Sequence, residues 1–420
     1  METFWKKVAL GTVTTLSAVT LVACGSNNAK KDSKEAGKDD KTLVVSAAGL
    51  SDYVKDNIEE FEKANDVKVE VLDADMFEKL EGLNLDGPAG TAPDVLIAPY
   101  DRIGSLAQTG QISEVKLIDD ANYDETDKRQ VTMDGKIYGA PAVIETLVMY
   151  YNKDLLSEAP KTFEELEGLS KDAKYNFADE AGKNTAFLAK WTDFYFAYGL
   201  ISGYGGYVFG ENGTDTKDLG LNKPESIEGI QYAVDWFQKV WPQGMLDVKS
   251  AGDFVSQSFT EGKTAAVISG PWDAASFKDA GVNYGVSKIP TLPNGKEYAP
   301  FAGGKGWIIS SYSKKQDLAQ KFLDWASSEE QQTKMYEKLG EIPANQVARQ
   351  KAADTNNELT TAVIDVYANA VPMPNIPEMG EVWSGAENLM FDAASGNKSA
   401  KQSADDAVEL IKQSIEQKHQ

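Results

Sequence analysis

From residue 42 onward, short β-branched runs alternate with longer stretches whose apolar positions recur every three or four residues. Residues 42–47 (TLVVSA) predict a strand. Ser51 follows as an N-cap candidate, and Val54, Ile58 and Phe61 form a helical stripe that stops at Asn65-Asp66. Residues 67–72 (VKVEVL) alternate as a second strand, and 74–85 predict a helix ended by Gly87-Pro88. Residues 94–98 (DVLIA) have the nearly continuous apolar character of a buried parallel strand. A helix over 101–108, stopped by Gly110, comes next. This alternation of strand and helix predicts a doubly wound α/β domain.

Further along, 136–141 and 146–152 predict strands. Thr162, with Glu165 three residues on, predicts a capped helix over 162–169. Ile227, Ile230, Ala233, Val234 and Phe237 make the apolar face of a helix over 226–240. Helices over 254–261, 317–327 and 328–339, a strand over 265–269 and an amphipathic helix over 403–417 complete the pattern. Trp236, Trp241 and Trp325 fall on helical patterns and are assigned to the core. There is no internal repeat and no Walker A or G-x-G-x-x-G signature.

The beginning of the chain departs from this pattern. Lys6-Lys7 precede an apolar run that ends in Leu21-Val22-Ala23-Cys24-Gly25, the layout of a secretory signal. Gly11, Thr12, Thr14, Thr15 and Ser17 interrupt the run, which suits it poorly to permanent spanning, for which about 20 apolar residues are needed. Cys24 is the single cysteine and stands at the cleavage point. Leu-Val-Ala-Cys-Gly resembles the lipobox of bacterial lipoproteins. That resemblance implies removal of a signal peptide, 1–23, and a diacylglycerol thioether on Cys24 that holds the protein at the outer face of the cell membrane. Residues 24–40, almost without apolar side chains, predict a disordered tether.

Composition narrows the function. With 42 basic and 65 acidic residues the net charge is 42 − 65 = −23, which argues against nucleic acid or an anionic membrane surface as partner. One cysteine excludes a disulfide framework and a cysteine-type zinc site. The sole histidine, His419, stands next to the C-terminus, which argues against Ser-His catalysis and histidine metal sites. No cofactor and no metal is expected. The body is longer than a usual single core and predicts two domains.

Asp101-Arg102-Ile103-Gly104, Tyr151-Asn152-Lys153-Asp154-Leu155, Gly262-Lys263-Thr264-Ala265, Gly270-Pro271-Trp272 and Met373-Pro374-Asn375-Ile376-Pro377-Glu378-Met379 occur in an order and spacing with a family likeness. Together they resemble the maltose/maltodextrin-binding proteins that deliver sugar to ABC importers, in the lipid-anchored form typical of Gram-positive bacteria. The resemblance covers nearly all of 41–418. It implies the α/β, two-lobe periplasmic-binding-protein-like fold, with a hinge and an interlobe cleft that closes on ligand. Lobe one would be 41–143 plus 303–352, and lobe two 146–299 plus 357–416. Hinge crossings would lie at 144–146, 300–302 and 353–356. The implied partners are a malto-oligosaccharide and the permease subunits in the membrane, and the implied state is a monomer.

Sugar recognition needs aromatic platforms for flat ring faces and fixed polar groups for hydroxyls. By the resemblance, Asp101, Arg102 and Glu145 bond hydroxyls, while Trp272, Trp383 and Tyr195 stack on sugar faces and Met373 lines the same wall. Asp193 stands where the family has a glutamate, with a shorter reach. The family's Asp-Lys pair after the first strand is replaced by Gly49-Leu50-Ser51-Asp52, a family tryptophan by Ala98, and the aromatic after Trp383 by Ser384. Lys305 and Trp307 are expected to compensate from the other side of the cleft, the alternative for Lys305 being a solvated loop lysine. These losses predict a preference for chains longer than maltose. Other α-glucans or cyclodextrins are alternative ligands. A glycoside hydrolase with paired carboxylates and a lipid-anchored adhesin are the readings outside this class.

Overall fold

The computed structural model describes residues 41–419. The predicted signal peptide 1–23, the lipidation site Cys24 and the tether 24–40 lie outside the described residues. In chain order the strands are β1 Thr42–Ser46, β2 Lys68–Leu72, β3 Val95–Pro99, β4 Thr132–Met133, β5 Lys136–Ile137, β6 Ala140–Glu145, β7 Val148–Asn152, β8 Phe187–Ala189, β9 Asp215–Leu219, β10 Ala266–Ser269, β11 Tyr284–Ser287, β12 Phe301–Ile309 and β13 Val371–Pro372.

Two mixed sheets carry the architecture. In the first, β2, β1 and β3 are parallel neighbours. β12 lies antiparallel to both β3 and β6, and its first two residues pair in parallel with β13. In the second, with order β11-β7-β10-β8, β7 runs antiparallel to both its neighbours and β10 is parallel to β8. The apolar runs read as buried strands have both faces covered, as parallel pairing requires. Val95 and Ile97 of β3 pack with Phe61, Phe322 and Leu323 on one face, while Leu96 and Ala98 pack with Leu80, Ile103 and Leu106 on the other. That split is the two-residue period of a strand.

The helices follow the apolar stripes, with local differences. Ser51 is the first helical residue, and its Oγ donates to the Ala47 carbonyl and to Asp73 instead of capping. The stripe through Phe61 is split into Ser51–Asn57 and Glu59–Asn65. The helix read over 74–85 is also two, Met76–Glu81 and Leu83–Ala89. Pro88 lies inside the second, which stops at Gly90, whose φ of 75° is the usual left-handed termination. Thr162 caps Phe163–Leu169 as expected. The stripe 226–240 is an α-helix, Pro224–Asp235, that widens into a π turn, Trp236–Val240, and delivers Trp241 into the core. Among the described residues no helix is long and apolar enough to cross a membrane.

Candidate functional site

Asp101 and Arg102 open the helix Tyr100–Gln108 directly after the carboxyl end of β3, the edge at which α/β sheets leave a crevice. Asp101 Oδ2 accepts a hydrogen bond from Trp383 Nε1 at 3.2 Å. Arg102 Nε lies 3.5 Å from the same oxygen, too poorly aligned for a hydrogen bond. Burial raises the Asp101 carboxyl above its ordinary range, against the pull of Arg102 and the indole N–H. The Arg102 guanidinium lies over Phe77, 5.6 Å from the ring centre.

Glu145 ends β6 opposite Gly303 of β12. Its Oε1 is 2.5 Å from Lys305 Nζ, and both side chains are largely buried. Glu341, just beyond the helix Glu329–Leu339, faces the same pair. Burial works to lower the Lys305 ammonium, yet Glu145 and Glu341 hold it above its ordinary value. The Glu341 carboxyl is itself raised, chiefly by burial, with Lys305 opposing and Glu145 adding to the rise.

The aromatic groups come from three other places. Asp193 caps the helix Phe194–Gly203 by accepting from Tyr195 N at 3.0 Å, and its other oxygen pairs with Lys190 at 3.1 Å. Asp193 is therefore engaged locally and fixes the start of the segment that carries Tyr195. The Tyr195 ring lies 6.2 Å from Trp272 and 6.2 Å from Phe301. Burial first, then Glu145, Asp101 and Asp193, push its hydroxyl up, so it remains a neutral donor. Trp272, in the turn Pro271–Asp273 after β10, is 45% exposed. Its ring folds back over Gly270, where a Cβ would meet it at 2.2 Å. Trp383 lies on the helix Met379–Ala386 and meets Phe194 and Phe301 edge-on at 5.8 and 5.9 Å. Met373 is buried and flanks Gly303 together with the Tyr195 hydroxyl.

Nine of the ten sequence candidates thus gather around one linked set of contacts. Trp307 does not. It is 1% exposed and packs edge-to-face on Phe322 at 5.4 Å, in the core between β12 and the helix Gln316–Ala326. The expectation that Trp307 compensates from the cleft is corrected: helix packing covers the indole. Lys305 is not a solvated loop lysine, since it sits in β12 paired to Glu145. Sequence reasoning missed Glu341, an isolated acid in Gly340-Glu341-Ile342-Pro343, and Phe301, whose ring lies between Tyr195, Tyr198 and Trp383. Phe301 had a usable signal, an aromatic beside Gly303-Gly304 at an expected crossing. Glu341 had none.

Two contacts tie distant segments across this set. One is the bond from Trp383 to Asp101. In the other, the Asn375 carbonyl approaches Gly104 so closely that a Cβ there would lie 1.6 Å away, while Asn375 Nδ2 donates to the carbonyls of Arg129, Gln130 and Thr132. Partly exposed rings, a neutral phenol and fixed carboxylates suit a neutral polyhydroxyl ligand.

The family model for bacterial extracellular solute-binding proteins matches residues 57–362. The chain belongs to that family. The maltodextrin-binding protein MdxE of Bacillus subtilis is 54% identical over 403 residues, 96% of each chain. The maltose-binding protein MalE of Listeria monocytogenes, solved with maltose, is 61% identical at a TM-score of 0.84, covering 90% of this chain and 99% of that one. MalX of Streptococcus pneumoniae, solved with maltopentaose, is 55% identical at 0.86, covering 89% and 100%. This solute-binding protein therefore has the two-lobe fold with hinge and interlobe cleft.

Proposed function

We propose that this solute-binding protein captures maltose and longer maltodextrins outside the cell and hands them to an ABC permease, held to the membrane by lipid on Cys24. It acts as a monomer and without catalysis. The observation that carries the reading is the grouping of Tyr195, Trp272 and Trp383 with Asp101, Glu145 and Lys305. The rings take the apolar sugar faces and the charged groups take the hydroxyls. Arg102 adds donors beside Asp101, Met373 fills the wall behind Tyr195, and Asp193 holds the start of the Tyr195 helix. The names of its close relatives support the choice of α-linked glucose chains.

In this reading lobe one is 41–143 plus 303–352, lobe two is 146–299 plus 357–416, and the crossings are 144–146, 300–302 and 353–356. The first two crossings lie side by side, with Thr146 Oγ1 donating to the Phe301 carbonyl at 2.9 Å. The contacts Trp383–Asp101 and Asn375–Gly104 then join the lobes, as a closed form requires. Sugar drives closure only through contacts that the open form lacks.

Isothermal titration of the purified protein with maltose, maltotriose and maltotetraose, with cellotriose as control, tests this. Saturable one-to-one binding of the α-linked sugars and no product by chromatography is expected. Shortening of maltotetraose would favour a hydrolase, and no heat from any α-glucan would remove the ligand assignment.

A further inference from the structure

The sole histidine, which the binding reading leaves unused, closes on the helix that carries Trp383. His419 follows the helix Ala400–Lys418. Lys418 Nζ donates to Glu381 Oε2 at 2.9 Å, and His419 Nε2 lies 3.2 Å from Glu381 Oε1. Glu381 lies in the first turn of the helix Met379–Ala386, two residues before Trp383. Two residues are about 200° of helical turn, so the carboxylate and the indole leave the helix on opposite sides. On one side the indole N–H meets Asp101, and on the other the helix rests on Ala400–Lys418. The two helices touch closely: a Cβ on Gly385 would lie 2.3 Å from Ile411 Cγ1.

Glu381 is 7% exposed, and among the described residues Lys418 and His419 are the groups bonded to its carboxylate oxygens. A first-turn glutamate can serve the helix dipole from solvent and needs no burial to do so. Burial works to raise this carboxyl, yet the bonds to Lys418 and His419 hold it below its ordinary value. Both partners come from one end of a 19-residue helix, so together they pin that end to the helix of Trp383. Neighbouring charges do not substitute for them. Asp101 and Arg102 stand on the indole side, and Asp392, on the adjoining helix Leu389–Ala394, is paired with Lys398. An imidazole gains its charge as pH falls from about 8 to 5, so the hold on Glu381 tightens in that range while the lowered carboxyl stays ionised.

We propose that Lys418 and His419 are positioning residues for sugar binding: acting through Glu381, they fix the helix that holds Trp383 toward Asp101 and the ligand, more firmly in mild acid than above neutrality. The proposal rests on the maltodextrin reading and adds a pH response to it. Both residues lie on the side of the helix away from the indole. With the clamp released, Glu381 is a buried carboxylate without donors, a cost that is relieved when the helix shifts toward water. The indole shifts with it, and binding then has to restore its place.

The test is isothermal titration of the full protein with maltotriose at about pH 6 and about pH 8, for wild type, Lys418→Met, Lys418→Arg and His419→Gln, with thermal melts to establish folding. The Lys418 side chain is exposed, so its substitution leaves the core intact. Expected is a loss of about fivefold in Lys418→Met at the higher pH. Lys418→Arg keeps a charged donor and should stay within about twofold of wild type. Wild type should bind about threefold more tightly at the lower pH, and His419→Gln should lose that difference. Wild-type affinities in Lys418→Met and His419→Gln at both pH values overturn the proposal. A loss that Lys418→Arg shares in full, or a pH response that His419→Gln retains, overturns the charge clamp. A wild-type protein that does not bind maltotriose overturns the receptor reading and the positioning role with it.

Discussion

Replacing Lys305 with methionine removes the one ammonium between Glu145 and Glu341 and leaves two carboxylates facing each other in a largely buried place. Breaking a buried ion pair from one side costs about 3–5 kcal/mol. With about 2.1 cal/mol/K of unfolding entropy per residue over roughly 380 residues, the entropy is near 0.8 kcal/mol/K, so Tm falls by about 4–6 °C. The pH dependence has a definite sign. In the wild type the raised Lys305 contributes stability that is complete below its unfolded pKa and is lost only as pH rises through its folded value. In Lys305→Met the already raised Glu341 carboxyl loses the opposing pull of the ammonium and rises further above its unfolded value. Its penalty is complete above the folded value and vanishes as pH falls below the unfolded one. The deficit against wild type is therefore largest near neutrality and shrinks toward pH 4. Calorimetric melts of wild type, Lys305→Met and Lys305→Met/Glu341→Gln across that range measure this. The double variant should recover much of the loss at neutral pH. A Tm deficit that stays constant with pH, or a Glu341→Gln change that deepens it, would refute the electrostatic account.

Trp383→Phe keeps a ring against Phe194 and Phe301 but removes the donor to Asp101, and should weaken maltotriose binding by about 1.5–3 kcal/mol in titration. Trp307→Ala should cost about 3–5 kcal/mol of stability in denaturant melts and leave the affinity of the folded fraction within about twofold, because this indole belongs to the core. Gly104→Ala places a Cβ against the Asn375 carbonyl and should hold the two segments apart, seen as a sugar-bound radius of gyration that fails to contract in small-angle scattering.

The elements were legible where one period dominated. Residues 42–46, 68–72 and 95–99 are strands because their β-branched runs have no helical spacing, and the doubly covered sheet follows from that apolarity. Helix breaks at Ile58 and Gly82 were not legible, because one stripe serves a bent pair as well as a straight helix. Trp272 and Trp383 each follow a proline-marked loop, and the structure leaves both rings outside the fully buried core. Trp307 shows the limit of residue type as evidence. On β12 it shares a strand face with Lys305 by the two-residue period, and the two positions differ only in what covers them. The helix Gln316–Ala326 lies over Trp307, while Lys305 meets carboxylates from β6 and from the turn after Leu339.

That difference is tertiary, and it explains why Glu341 was invisible. A lone acid after a helix reads as a solvated terminus until the fold sets it beside a paired ammonium. Lys305 on β12, Glu145 at the end of β6 and Glu341 after the helix Glu329–Leu339 come together from three separate segments. The antiparallel pairing of β12 with β6 is what sets Lys305 beside Glu145, a neighbourhood that no single stretch of the sequence displays.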